Sequence, residues 1–226
     1  MRGPQPDLAR RLAAEALGSF FLFAGVIGSG VMGEALADGN VAVALLANTI
    51  ATGAILFVLI AMLEPISGAH FNPAVTFAFA LRREIRWSEA VAFVAVQILA
   101  GIAGALVVHV MFDLPILQYS TKARAGVGQW TGELVATFGL VITILGLLRH
   151  RPSAIPAGVA LFITAAYWFT SSTSFANPAI TLVPSLSDTF AGIAPADVPA
   201  FIAAQFAGAV LAVGLARWLF APEKRA

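Results

Sequence analysis

The chain contains no cysteine. Disulfides, thiolate metal sites and cysteine nucleophiles are therefore excluded. Charge is scarce as well: 11% of the 226 residues are Asp, Glu, Lys or Arg, against about 25% in an ordinary soluble domain. The net charge of +1 gives no hold on a polyanion and excludes a nucleic-acid binder. What is abundant is apolar: 59% hydrophobic residues and a mean hydropathy of +0.88. Such a composition can neither clothe a soluble globule nor stay disordered. With its few charges placed mostly between long apolar runs, the chain reads as an integral membrane protein whose surroundings are lipid.

A bilayer core of about 30 Å needs about 20 apolar residues per helix. Six stretches qualify or nearly do: Ala13–Met32, Val41–Leu63, Ala90–Phe112, Trp130–Leu148, Ala154–Thr170 and Pro199–Phe220. They are rich in Gly, Ala and Phe and rarely alternate, so they read as helices rather than barrel strands. Gly101 and Gly104 on the third span, and Gly208 and Ala212 on the sixth, mark faces where backbones can approach closely. Eleven of the 13 basic residues fall before span one, after spans two and four, or at the end of span six and beyond; only Lys122 and Arg124 fall on the other face. The positive-inside rule then places both termini in the cytoplasm, which requires an even number of spans. The first run is long and lacks a persuasive cleavage site, so it reads as a retained helix rather than a signal peptide.

Two further segments are neither spans nor ordinary loops. Ser67-Gly-Ala-His-Phe-Asn72-Pro73-Ala74-Val-Thr76 and Ser172-Thr-Ser-Phe-Ala-Asn177-Pro178-Ala179-Ile-Thr181 share the pattern Ser-x4-Asn-Pro-Ala-x-Thr. Their surroundings repeat too: Glu15 matches Glu133, and Gln97 matches Gln205. The chain is thus duplicated, with a first repeat over 1–113 and a second over 114–226 in one membrane domain. Each half holds three spans, an odd number, so the second lies inverted relative to the first, an architecture used to move solutes across membranes. Asn is a preferred N-cap and Pro a preferred first helical residue. The short apolar stretches that follow therefore predict two half-helices, 73–81 and 178–186, meeting tip to tip near the midplane. Irregular backbone ahead of each motif survives in a membrane only where protein buries it or it lines a wet path. Glu15 and Glu133 are the expected braces for the amide hydrogens of those loops, since a carboxylate within a span is costly unless paired. Two half-helix N-termini, each carrying about +0.5 charge, would together repel a cation at about 5 Å by about 3 kcal/mol at an effective dielectric of about 20. Neutral solutes feel no such barrier.

On these residues the sequence resembles the aquaporin, or major intrinsic protein, family along nearly its whole length. The resemblance implies a homotetramer with a pore in every subunit, a passive channel rather than an enzyme, and no cofactor or metal. It implies that the Asn72 and Asn177 amides face solute at the pore centre. Gly68, Ala69 and His70, with Thr173, Ser174 and Phe175, would line the pore with carbonyls. His70 is then mainly loop packing, and His109 and His150 read as incidental. The role of Glu64, beside Pro65 at the end of span two, is open between pairing with an arginine and bracing the loop.

Water-selective members of that family narrow at four positions, one of them an Arg three residues after the second Asn. Here that place holds Ile180; by spacing the other three are Thr52, Ala165 and Ser174. A filter of Thr, Ala, Ser and Ile has no large ring and no guanidinium, which predicts a wider opening and the loss of about 3 kcal/mol of cation repulsion. Arg124 and Lys122 are the basic candidates on that face, and neither lies near a motif in sequence. The stretch 175–193 is similar to a bacterial subfamily encoded with arsenic-detoxification genes, in which the Arg is also aliphatic. That resemblance implies permeation of arsenite or organoarsenicals through a bacterial cell membrane; the alternatives are a glycerol- or urea-type facilitator and a water channel. An intramembrane enzyme would need a nucleophile with its base at depth. Ser67 and His70 do not fit, because the twin loop carries Phe175 where His70 stands.

Overall fold

The computed structural model describes residues 6–221, and Arg2, Lys224 and Arg225, which entered the orientation argument, lie outside them. Eight α-helices and short 3-10 turns make up the described chain, with no strand among its residues. In chain order they are α1 (Leu8–Leu36), α2 (Val41–Ser67), α3 (Pro73–Leu81), α4 (Trp87–Met111), α5 (Val127–His150), α6 (Ile155–Phe169), α7 (Pro178–Leu182) and α8 (Val198–Leu219). Six are long and apolar enough to cross a membrane, α6 and α8 together with the 3-10 turns that lead into them. Several run past the stretches expected from hydropathy: α1 has 29 residues, about 43 Å at about 1.5 Å each. Helix α2 passes straight through Glu64 and Pro65 to Ser67, where Gly68 ends it at φ +92° with its N–H on the Glu64 carbonyl.

The packing is an inverted three-plus-three arrangement. α1 packs on α2 and α4; in the second half α5 packs on α6 and α8 in the same way, and α2 meets α6 across the centre. The short helices α3 and α7 each lie against both α4 and α8. Small residues make the tightest approaches. A Cβ on Gly104 would stand 2.5 Å from the Phe20 carbonyl oxygen, and one on Gly208 would overlap the Leu134 carbonyl oxygen and come 2.9 Å from the Phe138 nitrogen. These two glycines let α4 and α8 touch the backbones of α1 and α5.

The two half-helices differ. α3 is one nine-residue helix. α7 is α-helical for five residues and then tightens into a 3-10 turn over Val183–Leu186. The single helix expected over 178–186 does not form because Pro184 has no N–H to continue the α ladder and its ring crowds the preceding turn.

Candidate functional site

Each short helix begins with an asparagine that caps its own amides. Asn72 Oδ1 accepts from Ala74 N at 2.8 Å and Val75 N at 3.4 Å; Asn177 Oδ1 accepts from Ala179 N at 3.0 Å and Ile180 N at 3.3 Å. The amide nitrogens reach across the repeat. Asn72 Nδ2 donates to the Ala176 carbonyl at 2.8 Å, and Asn177 Nδ2 donates to the Phe71 carbonyl at 2.9 Å. The two helix tips are thereby locked together. A carboxamide nitrogen has two hydrogens, so each Asn keeps one beyond this bond, and both residues border the central cavity.

Behind each loop stands a fully buried carboxylate. Glu15 accepts from His70 N at 2.9 Å, Phe71 N at 2.8 Å, Ser67 Oγ at 2.6 Å and Gln97 Nε2 at 2.8 Å. Glu133 accepts from Phe175 N and Ala176 N, both at 2.8 Å, and from Gln205 Nε2 at 2.6 Å. The glutamines continue to Thr76 at 3.1 Å and Thr181 at 2.7 Å on the short helices. These bonds hold a backbone that is otherwise disfavoured: Ala69 and Phe71 have φ of 51° and 47°, and Thr173, Ser174 and Ala176 have 62°, 53° and 47°. Left-handed non-glycine residues cost about 1–3 kcal/mol each and persist only where their surroundings fix them.

One cavity, of about 160 Å³, follows the loops from Glu64 and Leu148 at one end to Arg124 and Phe190 at the other. Its wall comes from rows of every fourth residue. Helix α2 gives Asn48, Thr52, Leu56, Ile60 and Glu64, a row about 24 Å long at about 1.5 Å per residue; α6 gives Ile155, Val159, Ile163 and Tyr167. The middle of both rows is thus aliphatic, with Asn48, Thr52, Glu64 and Tyr167 toward their ends, and the two loops add further polar groups.

The six loop residues named from sequence, Gly68, Ala69, His70, Thr173, Ser174 and Phe175, all border the cavity, as do Thr52 and Ile180. Ala165 does not. It is exposed on the outside of α6, and Tyr167, two residues later, faces inward and bonds Thr52 Oγ1 at 3.2 Å. Two helical steps turn a side chain by about 200°, so the shift moves the position from outside to inside. Counting back from Asn177 overshot by two residues, because the irregular link 170–176 between α6 and the motif carries no periodicity that fixes which residue of α6 turns inward.

Arg124 is the second correction. Far from the motifs in sequence, it folds back against the second loop, is 7% exposed and borders the cavity. Its Nε donates to the Gly192 carbonyl at 2.7 Å, and Nη1 reaches the Ser172 carbonyl at 3.2 Å and Thr173 Oγ1 at 3.4 Å. The guanidinium lies 4.7 Å from the Phe175 ring centre. The cavity wall therefore carries a guanidinium and the Tyr167 ring, neither of which the sequence expectation included. No sequence signal links residue 124 to the loop; the fold brings them together.

His70 packs as expected, bonded to Thr76 Oγ1 at 3.1 Å and stacked near Phe79 and Phe93. His109 is not incidental: fully buried, it joins the Ile116 carbonyl at 3.0 Å to Ser187 Oγ at 2.9 Å, tying the end of α4 to the segment after α7. Glu64 borders the cavity, and among the described residues it forms no ion pair.

Comparison with known proteins accords with this geometry. The sequence is 54% identical over 218 residues, 96% of this chain and 93% of the relative, to aquaglyceroporin AqpS of Rhizobium meliloti (strain 1021). It is 29% identical to aquaporin NIP2-1 of Oryza sativa subsp. japonica over 83% of this chain and 64% of that longer protein. The fold matches the X-ray structure of the aquaglyceroporin from Plasmodium falciparum with a TM-score of 0.73 at 19% identity, over 95% of this chain and 96% of that one. The sequence model described as major intrinsic protein matches residues 4–154. A duplicated six-span chain with crossed Asn-Pro-Ala tips around a cavity, matched in this way, belongs to the major intrinsic protein family of membrane channels.

Proposed function

We propose that the protein is a passive facilitator for small neutral hydroxylated solutes, with trivalent arsenicals such as As(OH)3 as the leading candidate and glycerol or urea as the alternative. The observation that carries this reading is Ile180 on the cavity wall, where water-selective members of the family place an arginine. An aliphatic side chain there adds to the apolar wall of Leu56, Ile60, Ile144 and Val159, in a cavity that the two loops and the hydroxyls of Thr52 and Tyr167 also border. Such a passage suits a solute with hydroxyls on one edge and little charge. The name of the 54% identical relative, an aquaglyceroporin, points the same way. In this reading the chain sits in a bacterial cell membrane with both termini cytoplasmic, comprises repeats 1–113 and 114–226, and assembles as a homotetramer. Pore-lining carbonyls come from Gly68, Ala69, His70, Thr173, Ser174 and Phe175, with Thr52, Tyr167, Ser174 and Ile180 at the filter.

A water channel is the second reading, favoured by the Tyr167 ring, which borders the cavity where a small alanine side chain was expected. The deciding experiment is flux of water, glycerol and arsenite into proteoliposomes, side by side, for the natural chain and Ile180→Arg. The facilitator reading expects Ile180→Arg to cut glycerol and arsenite uptake at least about tenfold, as expected when about 1.4 kcal/mol or more is added to a barrier, while water flux holds. Equal solute flux in the two proteins overturns the filter assignment.

A further inference from the structure

We propose that Arg124, delivered by the loop between the repeats, supplies from the side the positive filter group that Ile180 omits, excluding cations and donating hydrogen bonds to passing solute. The inference rests on the channel reading above.

Three features support it. The loop is pre-organised by being sewn to the segment after α7. Ser120 N donates to the Ser185 carbonyl at 2.9 Å, Thr121 N to Asp188 Oδ1 at 2.8 Å, and Ala194 N to the Lys122 carbonyl at 2.8 Å. Arg124 N itself donates to Asp197 Oδ2 at 2.7 Å. A guanidinium held at both its backbone and its Nε has one place to be.

The charge is also unneutralised at contact range. Among the described residues no carboxylate forms an ion pair with the Arg124 side chain, because Asp197 is engaged by the backbone nitrogen. Glu133 is the carboxylate that acts on it, from behind the loop, and that carboxylate is already occupied by Phe175 N, Ala176 N and Gln205. Burial pulls the guanidinium below the ordinary arginine pKa, yet arginine starts so high that it stays charged at neutral pH.

The third feature is its spare donors. Nε and Nη1 are bound to protein, while Nη2 has no protein partner among the described residues and is not among the sealed, unpartnered atoms. Its hydrogens are therefore open to the cavity that Arg124 borders. The partner of Nη1 is informative too. Thr173 is β-branched yet sits at φ 62°, a conformation such residues rarely adopt, and there its hydroxyl meets the guanidinium.

The test is the ratio of cation to water permeability in proteoliposomes, read with an internal pH dye under an imposed potential and by osmotic light scattering. Arg124→Gln keeps a polar group that can donate to the Gly192 and Ser172 carbonyls but removes the charge. It should raise the ratio at least about tenfold, on the Coulomb scale of a unit charge near the path. Arg124→Lys should stay near the natural ratio, and adding Ile180→Arg to Arg124→Gln should restore it. A purely bracing role would leave the ratio unmoved in Arg124→Gln, and that result overturns the proposal, as does a failed restoration. Ile180→Arg alone, with Arg124 intact, provides a test that does not depend on the folding of Arg124 variants. The ratio should fall by less than about threefold because the charge is already present, whereas a fall of more than about tenfold shows that the natural pore lacks it and overturns the proposal. Absence of glycerol and arsenite flux alongside normal water flux would sink the solute reading alone and leave the cation ratio to decide on Arg124.

Discussion

The two loops that meet at the centre of the molecule were read as twins, and at their tips they are. Positions 69 and 174 have φ of 51° and 53°, and positions 71 and 176 both have 47°. Each loop hangs on one glutamate through two backbone amides and on one glutamine that also holds a threonine. Away from the tips the twins part. The first loop backs onto its own half through His70, Phe79 and Phe93, and a continuous helix follows it. The second loop is met by Arg124 from the connection between α4 and α5, carries Thr173 in the place of Gly68, and leads into a helix broken at Pro184. Duplication therefore fixed the mechanics of the middle, where any departure would leave buried amides without partners, and left the mouths free to diverge. In the function proposed above, the chemistry that separates one solute from another belongs where the symmetry fails.

That comparison can be broken at several strengths. The largest effect is expected from Glu15→Ala and Glu133→Ala. Each strands at least two buried amides, at about 1–3 kcal/mol apiece, so each should lower stability by about 3–5 kcal/mol. Thermal unfolding in detergent should find the two equal within about 1 kcal/mol, and a benign Glu15→Ala beside a ruinous Glu133→Ala would end the twin description. Next come Asn72→Leu and Asn177→Leu, each losing a cap worth about 1 kcal/mol and a crossed bond whose carbonyl is left buried at about 1–3 kcal/mol. Both should depress flux of every solute tested; a variant that lost arsenite but kept water would place selectivity at the tips instead of the mouth. Gly104→Ala and Gly208→Ala push a methyl against backbone on α1 and α5 and should each cost about 1–3 kcal/mol. Equal melting losses would extend the symmetry to the helix crossings. The smallest effect belongs to Tyr167→Phe, which gives up one bond to Thr52 worth about 0.5–1.5 kcal/mol. Its melting temperature should fall by no more than about 5 °C while the glycerol-to-water flux ratio changes, and an unchanged ratio would remove Tyr167 from the filter.

Much of this architecture could be read from the chain because lipid leaves so few solutions. Long apolar runs had to be helices, an odd number of spans per repeat had to invert the second half, and Asn-Pro had to open a short helix. The Glu15 and Glu133 carboxylates stood out because an ionisable group inside a span is rare without a partner. The rest depended on distances that local pattern does not encode. The inward face of α6 could not be found by counting back across residues 170–176, since the length of an irregular link is set by the whole fold. The row Ile155, Val159, Ile163, Tyr167, matched against the row ending in Glu64 on α2, was the signal that would have found it. Nothing local announces that Arg124 will lie on Ser172 and Thr173, because its placement is decided by hydrogen bonds to a segment more than sixty residues away. The break in α7 is a local matter, written in Pro184.

The crossed asparagine bonds have a consequence for how the chain is made. Asn72 finds its acceptor 104 residues further on, an interval of about 5–20 s at a synthesis rate of about 5–20 residues per second. During that wait the first half-helix has no mate, and its tip must be kept wet or shielded by the insertion machinery. A half-length ancestor would have met the same need only by pairing head to head with a second, upside-down copy of itself.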